Sequence, residues 1–170
     1  MKFAHSLALL AACAVPVFAA DKKKEEAAPL PNASVSQIQF TPVVNEVPFD
    51  KASLEGKVVV VDEWGVNCGP CIASLPEMAK MAKSLESKGV AFVGIEVQHG
   101  TNDQINKLLK DAHVKYPVMA GGSSGVSSSY IPHVCIFGVD GKLVWHGNPG
   151  DDGFKKSLRE AMKDVVVAKK

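Results

Sequence analysis

Residues 57–76, "KVVVVDEWGVNCGPCIASLP", join a β-branched run to two cysteines that are separated by two residues. The continuous apolar run predicts a strand buried on both faces of a sheet. The apolar stripe that follows predicts a helix from about residue 68 to residue 88, ended by Gly89. Cys68 and Cys71 are therefore expected where a buried strand ends and a helix begins. Such a pair serves as metal ligands, as a structural disulfide or as redox-active thiols.

The position of the pair favours redox chemistry. A helix N-terminus has unpaired N–H groups and a partial positive charge, which stabilise a thiolate. The thiolate is the attacking species in disulfide exchange, so Cys68 is the predicted nucleophile. Cys71 follows one turn later, close enough for an intramolecular disulfide. Gly69 adds no side chain over the sulfur, and Pro70 in the first turn lacks an N–H that would have no helical partner.

Metal binding is the alternative interpretation of the cysteine pair. A structural zinc site needs four ligands, but no second CxxC follows and the five histidines are scattered along the chain. A metal-binding module or metallochaperone could still use Cys68 and Cys71, with His133 as a third ligand. Copper is the metal that such soft ligands favour.

The rest of the chain predicts alternating strands and helices. These elements imply an α/β domain in which helices cover both faces of a mixed sheet. The expected elements are a short edge strand at 35–40, a buried strand at 89–98, a helix at 101–113 capped by Thr101 or Asn102, a short strand at 115–120, a Gly/Ser-rich loop, a hairpin at 132–147 that turns at Asp140–Gly141, and a C-terminal helix.

The N-terminus predicts export. Residues 1–20 have a basic start, an apolar centre and small residues for cleavage, which is the pattern of a secretory signal peptide too short to anchor in a bilayer. An exported, periplasmic protein is therefore expected. The alternative is a lipoprotein, because residues 10–13, ending in Cys13, resemble a lipobox. Residues 21–34 are charged and then Ala/Pro-rich, which predicts a flexible tether before a single domain at 35–170.

Charge and cysteine count exclude other classes of protein. The net charge is +1, and the predicted signal contains one charged residue, so its removal leaves a net charge of 0. A neutral chain gives no electrostatic reason to expect nucleic acid as a partner. Of the four cysteines, Cys68, Cys71 and Cys135 lie beyond the predicted signal. An odd number with one close pair favours chemistry over disulfide stapling.

The cysteine motif resembles thioredoxin, whose core reads Asp-Phe-Trp-Ala-x-Trp-Cys-Gly-Pro-Cys with a proline five residues later. The wider layout is similar to the exported TlpA/ResA-type branch, with "LEGKVVVVDEW" before the motif and "YIPHVCIFGVDGKLVWHG" after it. The similarity covers roughly residues 47–170 and implies a thioredoxin-like fold that exchanges disulfides with partner proteins. The matching residues are Asp62, Trp64, Cys68, Gly69, Pro70, Cys71 and Pro76.

The resemblance also implies roles for single residues. Pro132 is the expected cis-proline beside the cysteines, and the Ile131 backbone would pair with an extended partner peptide. Asp62 would lie beneath the pair with a raised pKa and take a proton from Cys71. Trp64 is expected to form a wall of the site. The predicted substrate-binding residues are thus Trp64, Gly69, Pro70 and Ile131.

The resemblance further implies the direction of the reaction. The Gly-Pro dipeptide between the cysteines is that of thioredoxin, which favours a reductase that needs no cofactor. A reductase outside the cytosol needs electrons from a membrane donor. Contact of the protein itself with the membrane is expected only if Cys13 is lipidated.

Three positions depart from the thioredoxin pattern. Glu63 replaces Phe, and we expect it to be exposed at the edge or tip of the strand; buried near the cysteines, it would hinder thiolate formation. Asn67 replaces Trp and is interpreted either as the helix N-cap or as a surface residue. His133 replaces Thr and is expected to be packed or half-exposed rather than a ligand.

Other candidate residues are less distinctive. TlpA/ResA-type proteins often have a glutamate where this chain has Ser74, which gives Asp62 more weight as the proton acceptor. Glu96, within an apolar strand, is a second candidate for a buried carboxylate. Cys135 is expected to pack as a small hydrophobic residue, and Trp145 to pack on the hairpin.

Overall fold

The computed structural model describes residues 29–165. The predicted signal peptide, the lipobox cysteine Cys13 and most of the predicted tether lie outside these residues. The strands are, in chain order, β1 (Gln39–Phe40), β2 (Val58–Trp64), β3 (Val90–Glu96), β4 (Val118–Met119), β5 (Gly122–Ser123), β6 (His133–Phe137) and β7 (Leu143–Gly147). The α-helices are α1 (Gly69–Leu85), α2 (Asn102–Asp111) and α3 (Asp152–Ala161).

The central sheet is mixed, as predicted, and has the strand order β4-β3-β2-β6-β7. Strand β2 lies in the middle, parallel to β3 and antiparallel to β6. All seven residues of β2 are buried, because neighbouring strands and a packed layer on each face exclude water from it. The residues that precede the cysteines are therefore held on a strand that is buried along its whole length.

The two faces of the sheet are covered differently. The buried side chains of all three α-helices belong to one core layer, which also contains Val58, Val60 and Trp64 of β2. The other layer contains Val59 and Val61 of β2, and it is covered by the chain before β2 and by the loop after β4. Helices were predicted on both faces; among residues 29–165, the helical elements on this second face are short 3₁₀ turns at Val35–Gln37 and Lys51–Leu54.

Helix boundaries follow the local sequence. Cys68 is the N-cap of α1, and a 3₁₀ turn at Glu86–Lys88 leads to Gly89, which ends the helical segment in the left-handed conformation with φ 78°. This confirms the predicted stop. Thr101 rather than Asn102 caps α2, in a capping box with Gln104. Among residues 29–165, no helix has the length and apolarity needed to cross a membrane.

The short strands differ most from the predictions. The expected edge strand at 35–40 is a 3₁₀ turn followed by the two-residue strand β1. Strand β1 pairs with β5, which lies inside the predicted Gly/Ser-rich loop. Gly122 permits this pairing, because its φ is 120° and a side chain there would collide with the carbonyl oxygen of Gln39. The predicted strand at 115–120 is reduced to Val118–Met119, and the predicted hairpin is present as antiparallel β6 and β7.

Candidate redox site

Cys68 and Cys71 form a disulfide at the N-terminus of α1, with their Cα atoms 5.2 Å apart. Cys68 is 8% exposed and Cys71 is fully buried, so Cys68 is the sulfur that a partner can reach first. The Cys71 N–H donates to Cys68 Sγ over 3.2 Å. A helix N–H aimed at this sulfur stabilises a thiolate there.

Of the two interpretations of Asn67, the one that makes it the helix N-cap is wrong. The side chain that caps α1 is that of Cys68, whereas Asn67 is exposed. The backbone N–H of Asn67 donates to Gln98 Oε1 over 2.8 Å. Asn67 is thus a surface residue whose backbone, rather than its side chain, helps to hold the segment before the cysteine.

The Ile131–Pro132 peptide bond is cis, as the resemblance implies. The Ile131 carbonyl oxygen lies 3.8 Å from Cys68 Sγ. Pro132 and Pro70 line a cleft of about 370 Å³ together with Ser74, Met78, Met81 and Asn148. Pro70 and Pro132 therefore lie along one cleft, and Gly69 and Pro70 are exposed.

Trp64 differs from the prediction. It is 1% exposed and belongs to the core layer beneath α1. A side chain so enclosed has no surface with which to contact a partner. Trp64 is a core residue and does not form an exposed wall of the site.

Asp62 lies on the same face of β2 as Trp64, within the layer that contains Cys71. It is 1% exposed, and neither carboxylate oxygen has a hydrogen-bond partner among the described residues. Burial, and secondarily the charge of Glu63, raise the pKa of Asp62 from 3.8 to about 7. The nearby Tyr116 hydroxyl offsets a small part of this rise. Such a carboxyl group exchanges a proton near neutral pH.

Glu63 contradicts the expectation of an exposed carboxylate. It is 8% exposed, and it lies on the face of the sheet opposite the cysteines, next to Val61 and Cys135 of the second layer. Its Oε2 is 2.7 Å from His133 Nδ1, and its Oε1 accepts the Ser124 N–H over 2.7 Å. Burial raises the pKa of Glu63, but these hydrogen bonds outweigh burial and hold the pKa below its ordinary value.

His133 is fully buried, in line with the packed role expected of it. Its second ring nitrogen, Nε2, lies 3.1 Å from His146 Nδ1. Both ring nitrogens of His133 are therefore engaged by protein side chains. Within the described part of the chain, no group of three or more His, Cys, Asp or Glu side chains is arranged to hold a metal ion. The copper alternative, which relied on His133, is not supported.

Glu96 is a buried carboxylate, as predicted, and it holds the loop that precedes Cys68. It accepts the N–H groups of Val66, Gln98 and Gly100 over 3.2, 3.0 and 3.0 Å. Sequence reasoning did not single out Gln98, although a polar residue shortly after a buried strand is a signal for such a contact. Gly65 leaves room for this contact, because a Cβ at that position would push the Gln98 side chain aside.

Cys135 and Trp145 have the packing roles predicted for them. Cys135 is buried and unpaired among the described residues, and burial raises the pKa of its thiol to about 12. It is therefore a protonated core residue at neutral pH. Trp145 packs against Phe154 of α3, with 5.6 Å between ring centroids.

Comparison with known proteins agrees with this geometry. A sequence model of the Redoxin family matches residues 25–161. The thiol-disulfide oxidoreductase ResA of Bacillus subtilis (strain 168) is 26% identical over 132 residues, which are 75% of this chain and 70% of that protein. ResA of Bacillus cereus (strain ATCC 10987 / NRS 248) is 22% identical over 153 residues, or 88% of this chain and 83% of that protein.

A solved structure extends the comparison to the fold. It is the crystal structure of a thiol:disulfide interchange protein of the thioredoxin family from Chlorobium tepidum TLS. It superposes with a TM-score of 0.64 at 24% identity, covering 79% of this chain and 99% of that one. The mixed sheet, the helices and this likeness confirm the predicted thioredoxin-like fold. The chain belongs to the Redoxin family.

Proposed function

We propose that this protein is exported and reduces disulfides in partner proteins through Cys68 and Cys71. Thiol–disulfide oxidoreductase activity follows from its family, its fold and its cysteine pair. The observation that carries the proposal is the disulfide at the start of α1, with the Ile131 carbonyl 3.8 Å from Cys68 Sγ. At this point a nucleophilic sulfur lies beside a backbone segment that can align a partner peptide.

The first step is attack by Cys68. In the reduced protein, the N-terminus of α1 stabilises the Cys68 thiolate. This thiolate attacks one sulfur of the partner disulfide in line, so a bond forms between Cys68 and the partner while the partner's own S–S bond breaks. The displaced partner sulfur leaves as a thiolate and takes a proton from water.

The second step releases the partner. Asp62, with a pKa of about 7, takes the proton of the Cys71 thiol when it is ionised. The Cys71 thiolate attacks Cys68 Sγ and breaks the mixed disulfide, and the second partner sulfur leaves as a thiolate. The partner gains two electrons, and the protein is left with the Cys68–Cys71 disulfide seen in the structure.

The direction and location of the reaction have separate support. The Gly-Pro dipeptide between the cysteines is that of thioredoxin, whose potential is about −270 mV, against about −120 mV for the oxidant DsbA. Residues 1–20 have the pattern of a secretory signal, with anchoring through Cys13 as the alternative. Recycling the disulfide outside the cytosol needs a donor of two electrons, and a membrane protein that carries thiols is the proposed source.

Reduction of insulin tests the nucleophile. Cys68→Ser removes the attacking sulfur, so we expect turnover to fall to the level of the assay without enzyme. Cys135→Ala is the matched control, since it removes a buried cysteine outside the pair and should leave turnover unchanged. Activity retained by Cys68→Ser would refute the assignment.

The redox potential tests the direction. Equilibration of the cysteine pair with dithiothreitol mixtures should give a potential close to that of thioredoxin, about −270 mV. A value near that of DsbA would show that the protein is an oxidant. Cys71→Ser, which cannot complete the second step, should trap partners as mixed disulfides.

A further inference from the structure

We propose that Glu63 and His133 are positioning residues that hold the Ile131–Pro132 segment in place for docking of the partner protein. This inference rests on the proposed function, in which the Ile131 backbone aligns the partner beside Cys68. It assigns a role in partner docking to a buried Glu–His contact that does not touch the sulfurs.

The pair connects the central strand directly to the cis-proline. Glu63 and His133 are opposite each other in the antiparallel β2–β6 register. Their side chains meet at 2.7 Å, and the two residues are 8% and 0% exposed. Because His133 is the residue directly after Pro132, an anchor on its ring fixes the start of β6. It also fixes the direction in which the chain enters from Ile131.

Glu63 anchors the other end of the same loop as well. Its second oxygen accepts the Ser124 N–H over 2.7 Å, so residues 124–133 are tied to one carboxylate at both ends. Tyr130, within this loop, lies edge-on to the His133 ring with 6.0 Å between centroids. The loop that leads to the cis-proline is therefore held in place by the Glu63–His133 pair.

Stability alone is a weak account of this arrangement. A buried polar pair is often no more stabilising than apolar residues of similar volume, whereas well-packed hydrogen bonds fix geometry. The two residues are also two departures from the thioredoxin pattern, and the structure shows that they are partners of each other. Both lie on the face of the sheet away from the cysteines. Their contact with the docking segment passes through the backbone of residues 131–133, whereas the charge of Glu63 also reaches the reaction by raising the pKa of Asp62.

Steady-state kinetics with two substrates test the proposal. Insulin represents a protein disulfide that docks on the Ile131 backbone, and 5,5′-dithiobis(2-nitrobenzoic acid) is a small disulfide that does not. The assays are run at pH 8, above the pKa of Asp62, so that loss of the Glu63 charge does not change how far Asp62 is ionised. There we expect Glu63→Gln and His133→Ala to raise KM for insulin about tenfold with kcat nearly unchanged. Turnover of the small disulfide and the redox potential should stay at the wild-type values.

Conservative and distant variants serve as controls. His133→Asn keeps a donor near the position of Nδ1, so it should recover most of the docking lost in His133→Ala. Glu160→Gln removes an exposed carboxylate of α3 that pairs with Lys163, and its KM should equal that of wild type.

Several outcomes would overturn the inference. An unchanged KM for insulin in Glu63→Gln and His133→Ala would do so, as would an equal loss of activity on both substrates. If neither variant folds, the pair is a stability element and the inference fails. A wild-type protein that reduces neither substrate would instead refute the proposed function.

Discussion

Asp62 and Glu63 are neighbours in one buried strand, yet their carboxyl groups behave in opposite ways. Asp62 points to the face with the cysteine pair, where no partner among residues 29–165 bonds to its oxygens. Burial raises its pKa to about 7. Glu63 points to the other face, where His133 and Ser124 bond to it and its pKa falls below the ordinary value.

The difference shows that hydrogen-bond partners, rather than depth alone, decide the charge of a buried carboxyl group. Both groups are removed from water, which disfavours the ionised form of each. An imidazole and a backbone N–H restore that form on the Glu63 side. One strand thereby supplies a group that exchanges protons near neutral pH and a group that remains charged. The first group can accept a proton during disulfide exchange, and the second holds His133 and Ser124 in place.

The largest effect should come from removing the unpartnered carboxyl group. The pKa of Asp62 is raised in the folded state, so its contribution to stability is fully present below pH 3.8 and is lost as pH rises to about 7. Asp62→Asn removes this loss and should raise the free energy of unfolding at pH 8 by about 4 kcal/mol. Urea unfolding at pH 3.5 and pH 8 measures the difference, and an equal gain at both pH values would contradict it.

The same variant should lose activity. Without the carboxylate, nothing accepts the Cys71 proton, so insulin turnover should fall about a hundredfold. In the wild type, turnover should rise with pH as Asp62 ionises around pH 7. Stability and activity would thus change in opposite directions at one position, which a purely structural role cannot produce.

Glu96 is a third buried carboxylate, and its hydrogen-bond partners are backbone N–H groups alone. In Glu96→Gln, the side-chain NH₂ faces donors that it cannot satisfy. We expect the free energy of unfolding to fall by about 2 kcal/mol, measured by urea denaturation. Glu55→Gln is the control, because Glu55 is exposed. Equal stability of the two variants would show that these contacts add nothing.

The smallest effect concerns His146, which contacts His133 on the side away from Glu63. Burial and the charge of His133 lower the pKa of His146, so its contribution to stability is present above about pH 6.5 and is lost as pH falls below it. His146 is half-buried, and solvent screening keeps the loss below about 1 kcal/mol. In His146→Gln, which keeps a hydrogen-bonding group facing His133, this acid-side loss should disappear from thermal unfolding between pH 7 and pH 5. An unchanged profile would exclude His146 as its source.

Local patterns in the chain predicted most of the regular elements. The β-branched run identified β2, the apolar stripe after the cysteines identified α1, and Gly89 marked its end. The pairing of β1 with β5 was missed, since each strand has only two residues and their contact depends on a glycine far along the chain. Short strands have too few residues for periodicity to reveal them.

The position and spacing of the redox-active cysteines followed from the sequence alone. Cysteines two residues apart at a strand–helix junction must lie one turn apart, because local backbone geometry sets that distance. The roles of the proline before β6 and of Asp62 within β2 were instead implied by the resemblance to thioredoxin. The fold that this resemblance implied was enough to place both residues near the cysteines.

The pairing of the buried polar side chains could be read only from the folded chain. Glu63 and His133 are 70 residues apart, and nothing local to either one indicates the other. Their contact arises because β2 and β6 are adjacent in antiparallel register, which brings alternate side chains together on one face. Exposure was therefore the wrong prediction for Glu63, since the partner that makes its burial tolerable comes from a distant strand.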